Sequence, residues 1–354
     1  MILLIVRTHH PSKPVCPSQF VSLTRLNLSY LPNLKHVRGL SEFPSLKFLT
    51  LWSMPNLEEL WTTTGGLETG EDTLKAQCCF PALCALYILG CPKLLSVKPY
   101  FPPSLEQLTL SGYDSLQLLA PGNVFHPHPL RSTDVSSSSC GMRSAVKHLR
   151  ELNLTGMRAA ASGWEFLQHH TELETLMIQH SDGLTQLPES IRSLTSLWRL
   201  WVFFCPALAE LPEWLGELRS LKELHVCDGT RIADLPQSTK HLTSLVELAI
   251  GCGNNLDQLP DVIQHLTALE ELTLYDCAAM TVLPEWIGQL TKLRCLAIYG
   301  CPGLQCLPQS IRGLTALKEL CISGCGPDFA RRYEEGTEID CHLVSGIISV
   351  DISN

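Results

Sequence analysis

Apolar residues in this chain fall on a fixed step. Leucine stands at positions 149, 173, 197, 221, 245, 269, 293 and 317, each 24 residues from the last. A second leucine follows each after three residues, and Leu154, Ile178, Val202, Val226, Ile250, Leu274, Ile298 or Ile322 comes two further on. The unit is LxxLxL. Such alternation predicts a strand whose apolar residues point inward and whose intervening residues point outward. The second half of the unit carries Leu-Pro at 187–188, 211–212, 235–236, 259–260, 283–284 and 307–308, followed by apolar pairs three apart such as Ile191 with Leu194 and Ile287 with Leu290. Proline at the start of that pattern predicts a short helical return. One coil of strand, turn and return cannot bury its own leucines, so neighbouring coils must stack.

A self-similar step of 24 residues with this strand pattern marks a leucine-rich repeat. The unit recurs less evenly upstream, at Leu23-Leu26-Leu28, Leu46-Leu49-Leu51, Leu83-Leu86-Ile88 and Leu105-Leu108-Leu110. The predicted fold is α/β: a leucine-rich-repeat solenoid, or horseshoe, of about twelve coils with a parallel β-sheet on its concave face. A single domain over residues 1–354 is expected. It comprises an N-terminal lead-in (1–22), irregular repeats (23–120) with an insertion at 61–79, a Ser/Pro-rich insertion loop (121–145), eight regular repeats (149–325) and a C-terminal cap (326–354).

Composition sharpens this picture. The chain has 64 leucines in 354 residues but only seven tryptophans, seven tyrosines and ten phenylalanines, the bias expected of a repeated slot. Its net charge of -9 is carried by the second half: residues 1–148 hold 12 Lys and Arg against 9 Asp and Glu, and residues 149–354 hold 14 against 26. That balance argues against nucleic acid as a partner. No apolar run is long enough to span a membrane, and Met1–Val6 is too short an apolar run for a signal peptide, so a cytoplasmic location is expected.

Sixteen cysteines without a recurrent CxxC pair fit reduced thiols better than a disulfide framework. Cys91, Cys205, Cys277, Cys301 and Cys325 all stand three residues after the last apolar residue of the strand, a slot filled elsewhere by Ser181, Gly229 and Gly253. A buried thiol there can offer a weak donor to a turn carbonyl. The phosphate loop, the GxSxG elbow and the HExxH zinc motif are all missing, so neither an enzyme nor a cofactor or metal is expected. Asp340-Cys341-His342 reads as a surface turn, since neighbours in an extended chain point to opposite faces. His126-Pro-His128 reads as a pair of loop histidines, and His169-His170 as part of a return segment.

The outward strand positions form columns across coils. The residue before each strand leucine is Glu151, Thr175, Arg199, Glu223, Glu247, Glu271, Cys295 or Glu319. This row either steers a basic partner or is a solvated face partly neutralised by Lys222, Arg294 and Lys318. The coil at Leu197 presents Trp198, Arg199, Trp201, Phe203 and Phe204, flanked by Met177, His180 and His225, and Tyr275 and Tyr299 continue the aromatic theme. Large rings with arginine mark an interface, unless they pack on each other or under an inserted loop. The candidate protein-binding set is therefore Trp198, Arg199, Trp201, Phe203, Phe204, His225, Tyr275 and Tyr299, with Glu223, Glu247 and Glu271.

Four features resemble the leucine-rich-repeat region of cereal intracellular immune receptors, the coiled-coil class of nucleotide-binding disease-resistance proteins. They are the Leu-Pro-x-x-Ile-x-x-Leu-Thr-x-Leu return (Leu187 to Leu197, Leu307 to Leu317), the Cys-Pro-x-Leu strand exit (Cys91 to Leu94, Cys205 to Leu208), the Phe-Pro-x-Leu lead-in (Phe43 to Leu46, Phe80 to Leu83) and the tail. The tail runs from Cys325 through Arg332 to Asp340-Cys341-His342 and Ile347 to Ile352; the family more often has tryptophan where Cys341 stands. The resemblance covers residues 20–354. It implies a module that recognises a pathogen effector or guarded host protein and restrains a switch domain, here without the nucleotide-binding and coiled-coil domains that accompany it. A free-standing signalling scaffold or adaptor is the alternative. A repeat-fused enzyme such as a ubiquitin ligase has too little sequence outside the repeats, and an extracellular ectodomain would need a signal peptide.

Overall fold

The structure is a computed structural model that describes residues 22–37, 43–61, 82–94, 96–98, 101–102, 104–112, 148–157, 164–227, 232, 234–251, 258–333 and 340–353. The expected loop at 121–145, nearly all of the insertion at 61–79, almost the whole lead-in and His126-Pro-His128 lie outside the described residues. The chain divides into two compact units, Met1–Leu173 and Glu174–Asn354.

In the second unit the 24-residue step becomes a ladder. Its strands are β9 (Thr175–Gln179), β10 (Arg199–Phe203), β11 (Glu223–Cys227), β12 (Glu247–Gly251), β13 (Glu271–Tyr275), β14 (Cys295–Tyr299), β15 (Glu319–Ser323) and β16 (Ser349–Ser353). The first unit adds, in chain order, β1 (Arg25–Ser29), β2 (His36–Val37), β3 (Phe48–Trp52), β4 (Glu59–Trp61), β5 (Ala85–Leu89), β6 (Ser96–Lys98), β7 (Gln107–Ser111) and β8 (Glu151–Thr155). Strands β9 to β16 pair in parallel in sequence order, with Leu200 opposite Leu176 and Leu224, and Leu272 opposite Leu248 and Leu296. Each repeat leucine thus stacks on its copies, and Leu176, Leu200, Leu224, Leu272, Leu296 and Leu320 are 0% exposed. This is a leucine-rich-repeat solenoid with a parallel sheet.

The returns of the second unit are helical, but each is a single 3-10 turn: Glu189–Ser193, Glu213–Glu217, Gln237–His241, Asp261–His265, Glu285–Gln289 and Gln309–Gly313, each with proline at its N-cap. Ile191 N–H bonds the Pro188 carbonyl and Leu194 N–H the Ile191 carbonyl, at 3.0 and 2.9 Å. A 3-10 turn rises about 2.0 Å per residue against about 1.5 Å for an α-helix, so five residues carry the chain further back toward the next strand. Coils also cap one another. Glu213 accepts the N–H groups of Gln237 and Ser238 at 3.1 and 3.0 Å, and Glu285 accepts Ser310 N–H at 3.0 Å. A Cβ on Gly216 or Gly288 would lie 2.2 or 2.3 Å from the carbonyl oxygen of Ser238 or Ser310, so the approach requires glycine.

The first unit carries a second ladder as well. Strands β1, β3, β5, β7 and β8 form a parallel ladder in the same leucine register. On the return side β2, β4 and β6 make a second, smaller parallel ladder, with Val37, Leu60 and Val97 buried in one column. Where the regular coils have Leu187-Pro188, these coils carry Val37-Arg38, Leu60-Trp61 and Val97-Lys98, and the short strands pair there. The helical return of this unit among the described residues is Glu165–His169, where Phe166 packs edge-on against the buried His170 at 6.2 Å.

Strands β9, β10, β13, β14 and β15 leave the sheet through one left-handed residue: His180, Phe204, Asp276, Gly300 and Gly324 have φ between 50° and 70°. The next residue is the cysteine slot. Cys205, Cys277 and Cys301 are 0% exposed and donate to the carbonyls of Phe203, Tyr275 and Tyr299 at 3.3, 3.5 and 3.5 Å; Ser181 does the same to Gln179 at 3.3 Å. Burial pushes the Cys205 and Cys325 thiols up to about 11, and a hydrogen bond with Cys277 together with burial raises Cys301 further. These are neutral packing groups.

At the C-terminus helix α1 (Pro327–Tyr333) covers the last full coil. The Tyr333 hydroxyl accepts Leu307 N–H at 2.7 Å, and Arg332 holds Asp340 at 2.9 and 2.8 Å before β16 closes the ladder. Asp340 is thus a clasp on α1 rather than half of a dyad with the exposed His342.

Because serine already serves the slot in a neighbouring coil, Cys205→Ser is expected to cost less than about 1 kcal/mol, whereas Cys205→Leu should cost about 1–3 kcal/mol by overpacking and Leu200→Ala about 2–5 kcal/mol. Urea midpoints at constant slope check this ordering.

Candidate functional site

Alternation along β10 turns Arg199, Trp201 and Phe203 outward, with Trp198 just before the strand and Phe204 just after it. The Arg199 guanidinium carbon lies 4.4 Å from the centre of the Trp198 ring and 4.6 Å from that of Trp201. Its Nε donates to Glu223 Oε2 while Nη2 donates to Oε1 at 3.0 Å. A planar guanidinium forked onto a carboxylate and flanked by two indoles is held in one orientation.

The ladder extends across the next two strands. Trp201 stacks on His225 with centroids 5.0 Å apart and planes 15° from parallel, and His225 Nε2 meets Glu247 Oε1 at 2.7 Å. Phe203 sits edge-on to Trp201 and His225 at 5.9 and 6.1 Å. These contacts follow from register, because Arg199 stands opposite Glu223 and Trp201 opposite His225. Phe204 turns away through its positive φ and stacks on His180 at 4.6 Å.

The rings therefore pack on one another and still face out. Trp198, Trp201, Phe203 and His225 are half-buried, and Phe204 keeps 46% of its surface exposed. The Trp201 N–H is buried with no acceptor among the described residues, so what that indole displays is apolar.

The glutamate row behaves unevenly. Glu223 is taken up by Arg199 and Glu247 by His225, while Arg294 reaches Glu270 at 3.3 Å rather than a member of the row. Burial, then the charges of Glu247, Glu319, Glu270 and Glu223, hold the Glu271 carboxyl above the usual carboxylate range. Tyr275 and Tyr299 stack at 5.5 Å on the same face of β13 and β14. Of the candidate set, Trp198, Arg199, Trp201, Phe203, His225, Glu223 and Glu247 come together and Glu271 stands opposite Glu247, whereas Tyr275 and Tyr299 form a separate stacked pair. The clamp on Arg199 has a trace in the sequence, since Arg199 and Glu223 stand 24 residues apart in one column, but the column alone does not specify the pairing.

Among the described residues no three His, Cys, Asp or Glu side chains converge to hold a metal ion, and no helix is long and apolar enough to cross a membrane.

No family model and no curated protein sequence matches the chain. Solved structures do match in fold. An internalin from Listeria monocytogenes is 17% identical with a TM-score of 0.55, the match covering 96% of this chain and 90% of that one. TLR13, solved in complex with ssRNA13, is 18% identical with a TM-score of 0.51 over 95% of this chain and 50% of its own.

Two outcomes follow from the electrostatics. Arg199→Ala should cost about 1–3 kcal/mol by leaving Glu223 without its fork, and Arg199→Lys should recover only part of that in chemical denaturation. Glu271 is protonated more readily folded than unfolded, so its contribution is favourable at low pH and lost as pH rises through its folded value. Glu271→Gln should therefore raise the melting temperature at neutral pH, with a gain that shrinks toward pH of about 4.

Proposed function

We propose that this chain is a protein-recognition module that binds through the outward face of β10, β11 and β12. The observation that carries this reading is the ring and arginine cluster of Trp198, Arg199, Trp201, Phe203 and His225, pre-set by Glu223 and Glu247 on a rigid parallel ladder. Aromatic and arginine anchors held in place before contact lose little side-chain entropy on binding. Phe204, projecting beside them, enlarges the apolar surface on offer.

The finer reading is that the partner is a pathogen effector or guarded host protein, and that the module belongs to a plant intracellular immune receptor acting in the cytoplasm. It rests on the Leu-Pro-x-x-Ile-x-x-Leu return and on the tail, in which α1 and β16 close the solenoid. In that setting the array would also dock on a nucleotide-binding switch domain and restrain it.

In pull-downs with the whole chain, Trp198→Ala, Trp201→Ala and Phe203→Ala combined should weaken partner capture by tenfold or more, about 1.4 kcal/mol at least. Phe204→Ala, which leaves the packed ladder intact, should give a smaller loss in the same direction. Undiminished capture by both variants, with wild-type circular dichroism, would overturn the proposal.

A further inference from the structure

The face beyond the ring cluster changes character in a regular way, and this tells what kind of partner it takes. Glu223 and Glu247 are satisfied from within the protein by Arg199 and His225. From β13 onward that ends: among the described residues no cation pairs with Glu271 or Glu319, and burial together with the charges of Glu247 and Glu319 disfavours ionisation of the Glu271 carboxyl. Beside the glutamates the sheet is floored by small side chains, Ala249, Thr273 and Ala297, which are opposite one another in register. The stacked Tyr275 and Tyr299 bound the far side. A charged row, a shallow floor and an aromatic wall together form a trough along the sheet.

Resting on the recognition reading above, we propose that the partner is an extended basic segment that crosses the strands. An apolar or aromatic side chain anchors on Trp201 and Phe203, and Lys or Arg side chains downstream lie in the trough. Their aliphatic stems cover Thr273 and Ala297, their charged heads reach Glu271 and Glu319, and the tyrosine rings flank them. The cost of carrying unneutralised carboxylates two strands apart in one row is relieved when such a partner docks, which makes charge complementarity part of the binding energy. Strand spacing sets the arrangement in the partner. Glu271 is three strands from Trp201 and Glu319 two further, about 14 and 24 Å at about 4.8 Å per strand. An extended chain advancing about 3.3 Å per residue places one cation about four residues from the anchor and a second about three beyond it.

The test is selection of a random peptide library of about twelve residues on the intact chain, a length that spans the face, with fluorescence anisotropy of the enriched peptides. Enriched sequences should carry an apolar anchor with Lys or Arg at those offsets. Glu271→Gln with Glu319→Gln should weaken them by about three- to tenfold, and the difference should shrink between about 50 and 500 mM NaCl. Tyr275→Ala should weaken them in the same direction. Enrichment of acidic or uncharged peptides, no enrichment, or basic peptides indifferent to the paired glutamate change would each overturn the proposal. If those peptides still lost binding on Trp201→Ala, recognition by this face would stand and only the basic-segment inference would fall; indifference to both changes would remove both.

Discussion

A coil of about 24 residues cannot surround its own leucines, and the rest of the architecture answers that constraint. Leu200 is sealed by Leu176 on one side and Leu224 on the other, and the same holds along the ladder. The core is therefore a column shared between neighbours rather than a centre surrounded by layers. The ends need special provision. At the C-terminus Tyr333 satisfies the backbone of Leu307, Arg332 grips Asp340, and β16 supplies one further strand.

Stacking also dictates where backbone polar groups go. Strand amides pair across coils, and left-handed residues such as His180, Phe204 and Asp276 turn the chain out of the sheet. The following Cys or Ser then returns a bond to the carbonyl two residues back. On the opposite edge Glu213 and Glu285 satisfy amides at the start of the next coil's 3-10 turn, and burial of those turns depends on Gly216 and Gly288 letting the coils close up. In the first unit the short strands β2, β4 and β6 add a second parallel ladder of backbone bonds.

Register brings side chains of equal rank into contact on the outer face, and whether they attract or repel depends on what the neighbouring coil holds. Arg199 next to Glu223 and His225 near Glu247 give ordered pairs; Glu271 next to Glu247 gives a carboxyl held above the usual carboxylate range by burial and by its neighbours. A face built by one repeating rule thus contains an apolar anchor region and a charged trough.

Much of this was legible in advance. The leucine step determined the strands, their inward faces, the parallel order and the cysteine slot, because each depends on position within a coil and not on what lies in the next. The candidate rings and glutamates could also be read as columns. What the linear pattern left open was the pairing between columns: that Arg199 is clamped between two indoles and a carboxylate, that Phe204 leaves the ladder through a positive φ to meet His180, and that Arg294 serves Glu270 and not the row. Those outcomes turn on rotamers and on contacts of a few ångströms across coils, which a period in one dimension does not encode. The repeating frame is written in the chain, since burial of leucine permits only one phase; which outward residues pair with each other and which stay exposed is settled in three dimensions, since that depends on distances between side chains of adjacent coils.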